Sequence, residues 1–207
     1  RPFIGKPGSF IRTRARKDYS IPPPRDTILD VIKEAGLPVI GVGKISDIFA
    51  GRGFSLTIPS ESNLDGIIKT IEAIKCTSKG LIFTNLIDFD MIWGHRKDVK
   101  GYANALKEFD NSLPQILGLL TDGDLLIITA DHGCDPTTPG TDHSREYVPL
   151  LVFNPFCSKG IDLGVRSTFA DVGQTIASAL GVNPLENGTS FLKEVMLPDP
   201  YPLTPVN

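Results

Sequence analysis

The sequence predicts an α/β fold, with a mostly parallel sheet that carries helices on both faces. Between residues 26 and 181, short apolar segments of strand length alternate with longer segments whose apolar residues recur at helical spacing. Hydrophobic residues make up 41% of the 207-residue chain and charged residues 22%, which is ordinary for a globular protein with a sizeable core. Because helices commonly connect parallel strands, this alternation is typical of a parallel sheet.

The first half of this region contains two predicted helices and two predicted strands. Asp26 is a suitable N-terminal cap for a helix over DTILDVIKEAG, which Gly36 would end. The apolar segments PVIGVG and LIFTNLI are predicted to be short buried strands. Between them, SNLDGIIKTIEAIK is predicted to be an amphipathic helix. Its apolar stripe consists of Ile67, Ile68, Ile71 and Ile74.

The second half contains two further helices and two further strands. One helix is marked by Val99, Tyr102, Leu106, Phe109 and Leu113. Pro114 should bend or break that helix, because proline cannot donate a backbone hydrogen bond. LLIITA and VPLLVF are predicted strands, and TFADVGQTIASALG is predicted to be a helix that ends at Gly181.

The two ends of the chain differ in composition from this region. Residues 1–20 are rich in arginine and lysine, and the prolines at 22–24 that follow them suit a linker. Residues 196–207 contain several prolines and are predicted to form an extended tail. The net charge of -3 argues against non-specific nucleic-acid binding. No apolar run approaches the roughly 20 residues that a membrane helix needs.

All three histidines of the chain lie near aspartates at the ends of apolar segments. Asp88 and Asp90 follow the predicted strand LIFTNLI, whereas Asp131 and His132 follow LLIITA. Parallel strands present their carboxyl ends at one edge of a sheet, where α/β proteins bind their ligands. We therefore expect both pairs of residues to lie at the same edge.

Five of these aspartates and histidines form a candidate metal site. They are Asp90, His95, Asp131, His132 and His143. Carboxylates and imidazoles are ligands for Mn²⁺, Zn²⁺ and Fe²⁺. The loop between Cys134 and Asp142 contains two prolines and a glycine, so it should double back and return His143 to the sheet edge. A single Asp–His pair is more often a cap or a satisfied hydrogen bond, but the pattern occurs at every histidine, which favours metal binding.

Three neighbouring aspartates, Asp88, Asp135 and Asp142, are more typical of groups that support ligands or cap loops. The spacing alone does not separate Asp88 from Asp90, since residues two apart on a strand point the same way. The three cysteines are an odd number without the spacing of a zinc site, and they are predicted to be free thiols. The candidate site is therefore built from carboxylates and imidazoles alone.

Two segments, DFDMIWGHRKDVKGYANAL and TADHGCDPTTPGTDHSREYVPLL, resemble the alkaline phosphatase superfamily and, within it, the phosphopentomutase family. The segments RPFIGKPGSFIRT and VGKISDIFAGRG are also similar to that family, so the resemblance runs from Arg1 to about Asn187. The DHG and TDHSREYVP elements distinguish the family from the related phosphoglycerate mutases. The resemblance implies an alkaline-phosphatase-like core.

The resemblance also implies a site for two metal ions, usually Mn²⁺. Asp90, His95 and His143 would bind one ion. Asp131 and His132 would bind the other, together with an aspartate from an N-terminal half of the protein. A threonine from that half would carry a phosphoryl group. The enzyme would interconvert ribose or 2-deoxyribose 1-phosphate and the 5-phosphate through a bisphosphate intermediate, with a bisphosphorylated sugar as activator.

This sequence has no counterpart of that N-terminal half, so the resemblance implies a fragment that is inactive alone. Residues 1–20 would be the end of an inserted cap domain, and residues 21–195 would be the second half of the metal-binding core. The implied partners are a pentose phosphate and the missing half, with neither nucleic acid nor a membrane. Thr84 and Thr129 match no nucleophile motif and are interpreted as packing residues. The family is cytosolic and serves nucleoside salvage.

Two basic residues match family positions near the substrate or activator, namely Lys44 and Arg12. Cationic side chains suit those positions because the substrate is a phosphate ester. Arg145, two residues after His143, could contact phosphate or form a salt bridge. Two other functions stay open: a phosphatase or phosphoglycerate mutase of the same superfamily, and a metal-binding module without catalysis that supports a partner chain.

Overall fold

The structure, a computed structural model, describes residues 3–12, 19–156 and 160–196. The helices are α1 (Ile28–Glu34), α2 (Ile45–Ile48), α3 (Asn63–Cys76), α4 (Val99–Leu117), α5 (Ala170–Leu180) and α6 (Leu192–Val195), with a π-helix at Phe89–Gly94. The strands are β1 (Phe3–Ile4), β2 (Ile11–Arg12), β3 (Val39–Gly43), β4 (Leu56–Ile58), β5 (Leu81–Asn85), β6 (Leu126–Thr129) and β7 (Leu150–Phe153). No described helix is both long enough and apolar enough to cross a membrane.

A three-stranded parallel sheet forms the centre of the fold, in the order β4-β3-β5. β3 lies in the middle, and its Gly41 is opposite Thr57 of β4 and Phe83 of β5. The predicted strands PVIGVG and LIFTNLI are therefore neighbours in a parallel sheet. The connection from β4 to β5 passes through α3, which is the helical crossover that parallel strands require.

Helices cover both faces of this sheet, as the sequence predicted. On one face, Val39 of β3 packs with residues of α1 and α2. The buried residues of that cluster are Leu29, Ile32, Val39, Ile45 and Phe54. On the other face, Ile40 and Val42 pack with Ala73 of α3. Neighbouring residues of β3 serve opposite clusters because side chains alternate along a strand.

The strands β6 and β7 pair with each other and not with the central sheet. They are antiparallel, with Leu126 opposite Phe153 and Thr129 opposite Leu150. The described segment between them contains no helix, and an antiparallel pair needs none, whereas a parallel pair needs a long crossover. The expected parallel sheet is thus confirmed for three strands, and the last two form a separate antiparallel ribbon.

Some apolar strands lie at open edges. β5 pairs with β3 along one side, and no described strand pairs with its other side. All five residues of β5 are partly exposed, although LIFTNLI was predicted to be buried. In the ribbon, Leu151 of β7 is 60% exposed. The segments have the composition of buried strands, but no further described strand pairs with them.

Two predictions about helix ends need correction. α1 begins after Thr27, not after Asp26, because Asp30 accepts a 2.7 Å hydrogen bond from the Thr27 amide and forms a capping box. Asp26 instead pairs with Arg52. α4 is not broken at Pro114 but continues to Leu117, so of the two expected effects only the bend stays a prediction. Pro114 is exposed, and the helix loses only the backbone N–H that proline lacks. The Pro114 carbonyl still accepts a 3.0 Å hydrogen bond from the Gly118 amide.

Other elements match their predictions or were not predicted. α3 is capped by Ser62, and α5 ends at Gly181, whose positive φ of 70° favours glycine. The hairpin of β1 and β2, the short elements α2, β4 and α6, and the π-helix were not predicted. The predicted tail over 196–207 lies outside the described residues apart from Met196.

Candidate metal centre

The candidate site lies beyond the carboxyl ends of β3 and β5. Gly43 ends β3 opposite Asn85, which ends β5. Lys44 follows directly as the cap of α2, and the segment that leads into the π-helix follows Asn85. The rule for parallel sheets thus holds for the residues that follow β3 and β5. Asp131 and His132 were expected at the same edge, but they follow β6, which belongs to the separate antiparallel ribbon.

The π-helix brings Asp90 and His95 together. The amide of His95 donates a 3.0 Å hydrogen bond to the carbonyl of Asp90, which is the five-residue spacing of a π-helix. This wider turn places the two side chains on the same side. His95 Nε2 lies 3.2 Å from Asp90 Oδ1. No helix was predicted here, and the π-helix is what positions both residues.

His143 reaches the same aspartate from a distant part of the chain. Gly133 and Ser144 form an isolated antiparallel bridge, in which the Ser144 amide donates a 3.1 Å hydrogen bond to the Gly133 carbonyl. The bridge closes the loop between them, as expected from its prolines and glycine. It sets His143 Nε2 3.3 Å from Asp90 Oδ1.

The three side chains present a donor set suited to a divalent cation. One ligand atom from each of Asp90, His95 and His143 lies within 4.8 Å of the others. His95 Nδ1 contacts the carbonyl oxygen of Thr141. Because a carbonyl only accepts, Nδ1 carries the proton and the lone pair of Nε2 is left for a metal. Two imidazoles and a carboxylate fit Mn²⁺, Fe²⁺ or Zn²⁺.

Asp131 and His132 form a second pair beside this cluster. His132 stacks on His143, with ring centroids 3.6 Å apart and an interplanar angle of 17°. His132 Nδ1 contacts the carbonyl of Gly133 at 3.1 Å, and Nε2 lies 3.7 Å from Asp131 Oδ1. All five predicted ligands therefore meet in one region, three around a common point and two as an adjoining pair. Their binding of metal stays a prediction.

The structure gives Asp88 and Asp90 different roles. Asp88 is only 4% exposed, and its Oδ2 accepts a 2.8 Å hydrogen bond from the amide of Asn63, at the start of α3. The Asn63 side chain accepts from the Asp88 amide in return. Asp135 likewise bonds within its own loop. It accepts hydrogen bonds from the Thr137 hydroxyl and amide, and these lower the pKa of its carboxyl. Asp88 and Asp135 are thus capping groups, which is one of the two roles that the sequence favoured for them.

The other predicted residues are placed as follows. Lys44 is half-buried at the sheet edge, and Arg12 lies in β2 opposite Phe3, so their substrate roles stay predictions. Arg145 is exposed, and no described residue forms an ion pair with it, so its salt-bridge alternative has no support. Thr84 bonds to the Thr70 hydroxyl at 2.7 Å, which fits a structural role. Thr129 is exposed at the end of β6, so its interpretation as a packing residue is wrong.

Cys134 is the residue at the site that the sequence did not predict. Its Sγ lies 3.5 Å from Asp90 Oδ1 and donates to it. Burial, followed by the hydrogen bond to Asp90, raises the pKa of this thiol to about 11. Cys134 is a free thiol, as predicted, but it contacts a candidate ligand. The only sequence signal was its position two residues after His132.

The sequence was also compared with known proteins. The family model of the metalloenzyme superfamily matches residues 39–184, which include all five candidate ligands. The phosphopentomutase of Caldanaerobacter subterraneus subsp. tengcongensis is 59% identical over 197 residues, or 95% of this chain and 50% of that protein.

Two further relatives match the chain to a similar extent. The phosphopentomutase of Desulfitobacterium hafniense is 56% identical, and that of Kosmotoga olearia is 54% identical, each over 196 residues. Both matches cover 95% of this chain and 50% of the relative. The chain thus spans about half the length of the curated relatives it matches.

Proposed function

The chain belongs to the metalloenzyme superfamily, and from that premise we propose that it supplies metal-binding residues to a phosphopentomutase. The observation that carries the proposal is the convergence of His95 Nε2 and His143 Nε2 on one oxygen of Asp90. This convergence occurs in a chain that is 59% identical to a phosphopentomutase across 95% of its length.

In this proposal, Asp90, His95 and His143 hold one cation, and Asp131 and His132 contribute to a second. The Thr141 carbonyl keeps the proton on His95 Nδ1, and the Gly133 carbonyl does the same for His132. Both imidazoles therefore offer Nε2. Divalent cations, Mn²⁺ by our expectation, would neutralise the charge on the oxygens around a transferring phosphoryl group.

The reaction would interconvert pentose 1-phosphate and pentose 5-phosphate. A phosphothreonine would give its phosphoryl group to the 5-oxygen of ribose 1-phosphate, which yields the bisphosphate. The phosphoryl group on the 1-oxygen would then return to the threonine and leave ribose 5-phosphate, so no phosphate is lost to water. A bisphosphorylated sugar would recharge the threonine. Lys44, Arg12 and Arg145 are the proposed contacts to the phosphate groups.

We place the threonine and the remaining metal aspartate in a part of the protein outside this chain. The relatives are about twice as long as their match to this chain, which supports a partner half. The partly exposed β5 and the 60% exposed Leu151 of β7 also support it, because strands of this composition are usually covered. This chain alone would then be inactive, in a cytosolic enzyme of nucleoside salvage.

The first test is the manganese content of the purified chain after dialysis against Mn²⁺, measured by elemental analysis. We expect no more than about one ion per chain, since Asp131 and His132 alone are too few ligands for a second. His143→Ala should lose this ion, and the exposed Asp110→Asn in α4 should retain it. Two tightly held ions in the parent chain would contradict the need for a partner half.

The second test asks which reaction is catalysed. The preceding half of the Caldanaerobacter relative, joined to this chain, should convert ribose 1-phosphate to ribose 5-phosphate with Mn²⁺, as followed by phosphorus NMR. His143→Ala should abolish conversion, whereas Asp110→Asn should not affect it. Release of inorganic phosphate instead of the isomer would indicate a phosphatase. Activity of this chain by itself would contradict the proposal that its nucleophile lies elsewhere.

A further inference from the structure

Cys134 joins the two segments that build the proposed metal site. It follows the pair Asp131 and His132, and its Sγ lies 3.5 Å from Oδ1 of Asp90 in the π-helix. On its other side, the thiol packs so closely against Gly94 that a Cβ at that position would collide with Sγ. The sulfur is therefore enclosed between the aspartate and the end of the π-helix.

The oxygen that accepts from Cys134 is the one that faces both imidazoles. Asp90 Oδ1 lies 3.2 Å from His95 Nε2 and 3.3 Å from His143 Nε2. A carboxylate oxygen has more than one lone pair, so it can accept from a thiol and still face a cation. When both Nε2 atoms bind a cation, neither can donate. Cys134 is then the sole hydrogen-bond donor to this carboxylate among the described residues.

We propose that Cys134 is a positioning residue, whose thiol donates to Asp90 Oδ1 and holds that carboxylate toward His95 and His143. The inference rests on the proposed metal site. Partners that orient a ligand in this way commonly change metal affinity when they are removed. The hydrogen bond would also fix the loop after β6 against the π-helix, so that both halves of the ligand set keep their relative position.

The test compares Mn²⁺ dissociation constants of the purified chain and three variants by titration calorimetry. Cys134→Ala should bind Mn²⁺ about 10- to 100-fold more weakly, which is the usual effect of removing such a partner. Cys134→Ser should recover most of the affinity, because a hydroxyl still donates. Cys76→Ala, at the exposed end of α3, is the matched control and should bind like the parent.

Unchanged affinity in Cys134→Ala would overturn the proposal, and so would an equal loss in the serine variant, which would point to packing. A parent chain that binds no Mn²⁺ would instead contradict the metal site itself. The S–H stretching band in the Raman spectrum gives a second readout that does not depend on the Cys134→Ala variant. With Cys76 and Cys157 replaced by alanine, the Cys134 band should move to higher frequency in Asp90→Ala, and an unmoved band would exclude the hydrogen bond.

Discussion

Asp88 and Asp90 lie two residues apart and serve different purposes. Asp88 is buried and caps the start of α3 through the amide of Asn63 at 2.8 Å. Asp90 is only half-buried and faces His95 and His143. The difference arises because the π-helix begins between them, so they do not lie on one face of a strand. One aspartate therefore contributes to stability, and the other is available to a ligand.

Substitution of each aspartate by alanine should separate these two effects. Asp88→Ala should lower the free energy of unfolding by about 1–3 kcal/mol, because the buried Asn63 amide loses its acceptor. Mn²⁺ affinity should stay that of the parent. Asp90→Ala should lose Mn²⁺ binding and change metal-free stability by less than about 1 kcal/mol. Denaturant unfolding and metal titration measure both. Loss of metal in a folded Asp88→Ala chain would contradict the assignment.

At the scale of the elements, helix α1 is fixed to its surroundings by one aspartate. Asp30 accepts from the Thr27 amide and hydroxyl and from the Arg52 guanidinium. Arg52 also donates to the Pro23 carbonyl at 2.9 Å. The proline segment at 22–24 is thus attached to the core through the same charged group. Burial acts to raise the pKa of Asp30, but these hydrogen bonds outweigh it, and the pKa lies below the usual 3.8.

This lowered pKa predicts a pH dependence of stability. Asp30 stays ionised to lower pH in the folded chain than in the unfolded one, so the stability that it contributes is present above pH 3.8 and is lost as the pH falls through the folded pKa. The difference in unfolding free energy between the parent and Asp30→Asn should therefore shrink below that pH. Denaturant titrations across the acid range measure it. The exposed Asp110→Asn is the control and should show a much smaller difference at neutral pH.

Pro114 lies inside α4, where it removes a backbone donor. The helix continues through the proline to Leu117, which costs one backbone hydrogen bond. Pro114 is exposed, so alanine would restore the donor without removing buried contacts. Pro114→Ala should raise the free energy of unfolding by about 1–3 kcal/mol, measured with denaturant. The neighbouring exposed Gln115→Ala is the control and should be nearly neutral. Equal stability of Pro114→Ala and the parent would show that the helix accommodates the proline without cost.

Periodicity predicted the elements that have a clear repeat, and tertiary contacts decided the others. The helices α1, α3, α4 and α5 and the strands β3, β5, β6 and β7 each follow an apolar pattern. The π-helix has none. Its hydrogen bonds are local, as between the His95 amide and the Asp90 carbonyl, but Gly94 also packs tightly against Cys134, which lies in a loop far along the chain. The five candidate ligands were predictable because each is an aspartate or histidine near the end of an apolar segment. The Cys134 contact, which joins positions 90 and 134, was not.

At the scale of the whole molecule, apolar strands lie at uncovered edges. β5 has one side without a described partner, and Leu151 of β7 is 60% exposed. Such edges can pair with other chains. In the proposed enzyme the preceding half of the protein would cover them, so the sheet would be completed only in the full-length protein.

This arrangement predicts that the chain associates with itself when it is purified alone. Leu151→Lys should reduce the concentration-dependent increase in mass seen by sedimentation velocity, because a lysine on an edge strand opposes strand pairing. Leu64→Lys, which places the same charge at a 46% exposed leucine on α3, is the control. Equal suppression by both variants would show that charge alone, and not the strand edge, governs association.

The bridge between Gly133 and Ser144 holds His143 beside Asp90, so the proposed metal ion would also affect the stability of the chain. His143 lies after α4 and β6 in the chain, yet its Nε2 is 3.3 Å from Asp90 Oδ1. An ion bound by both residues would therefore be a reversible cross-link that closes the chain segment between positions 90 and 143, beside the bridge. A cross-link of this kind restricts the unfolded chain and stabilises the folded one. Chelation of the ion would then open the 134–142 loop to proteases while the central sheet stays protected. Cleavage confined to that loop would report the state of the metal site without any substrate.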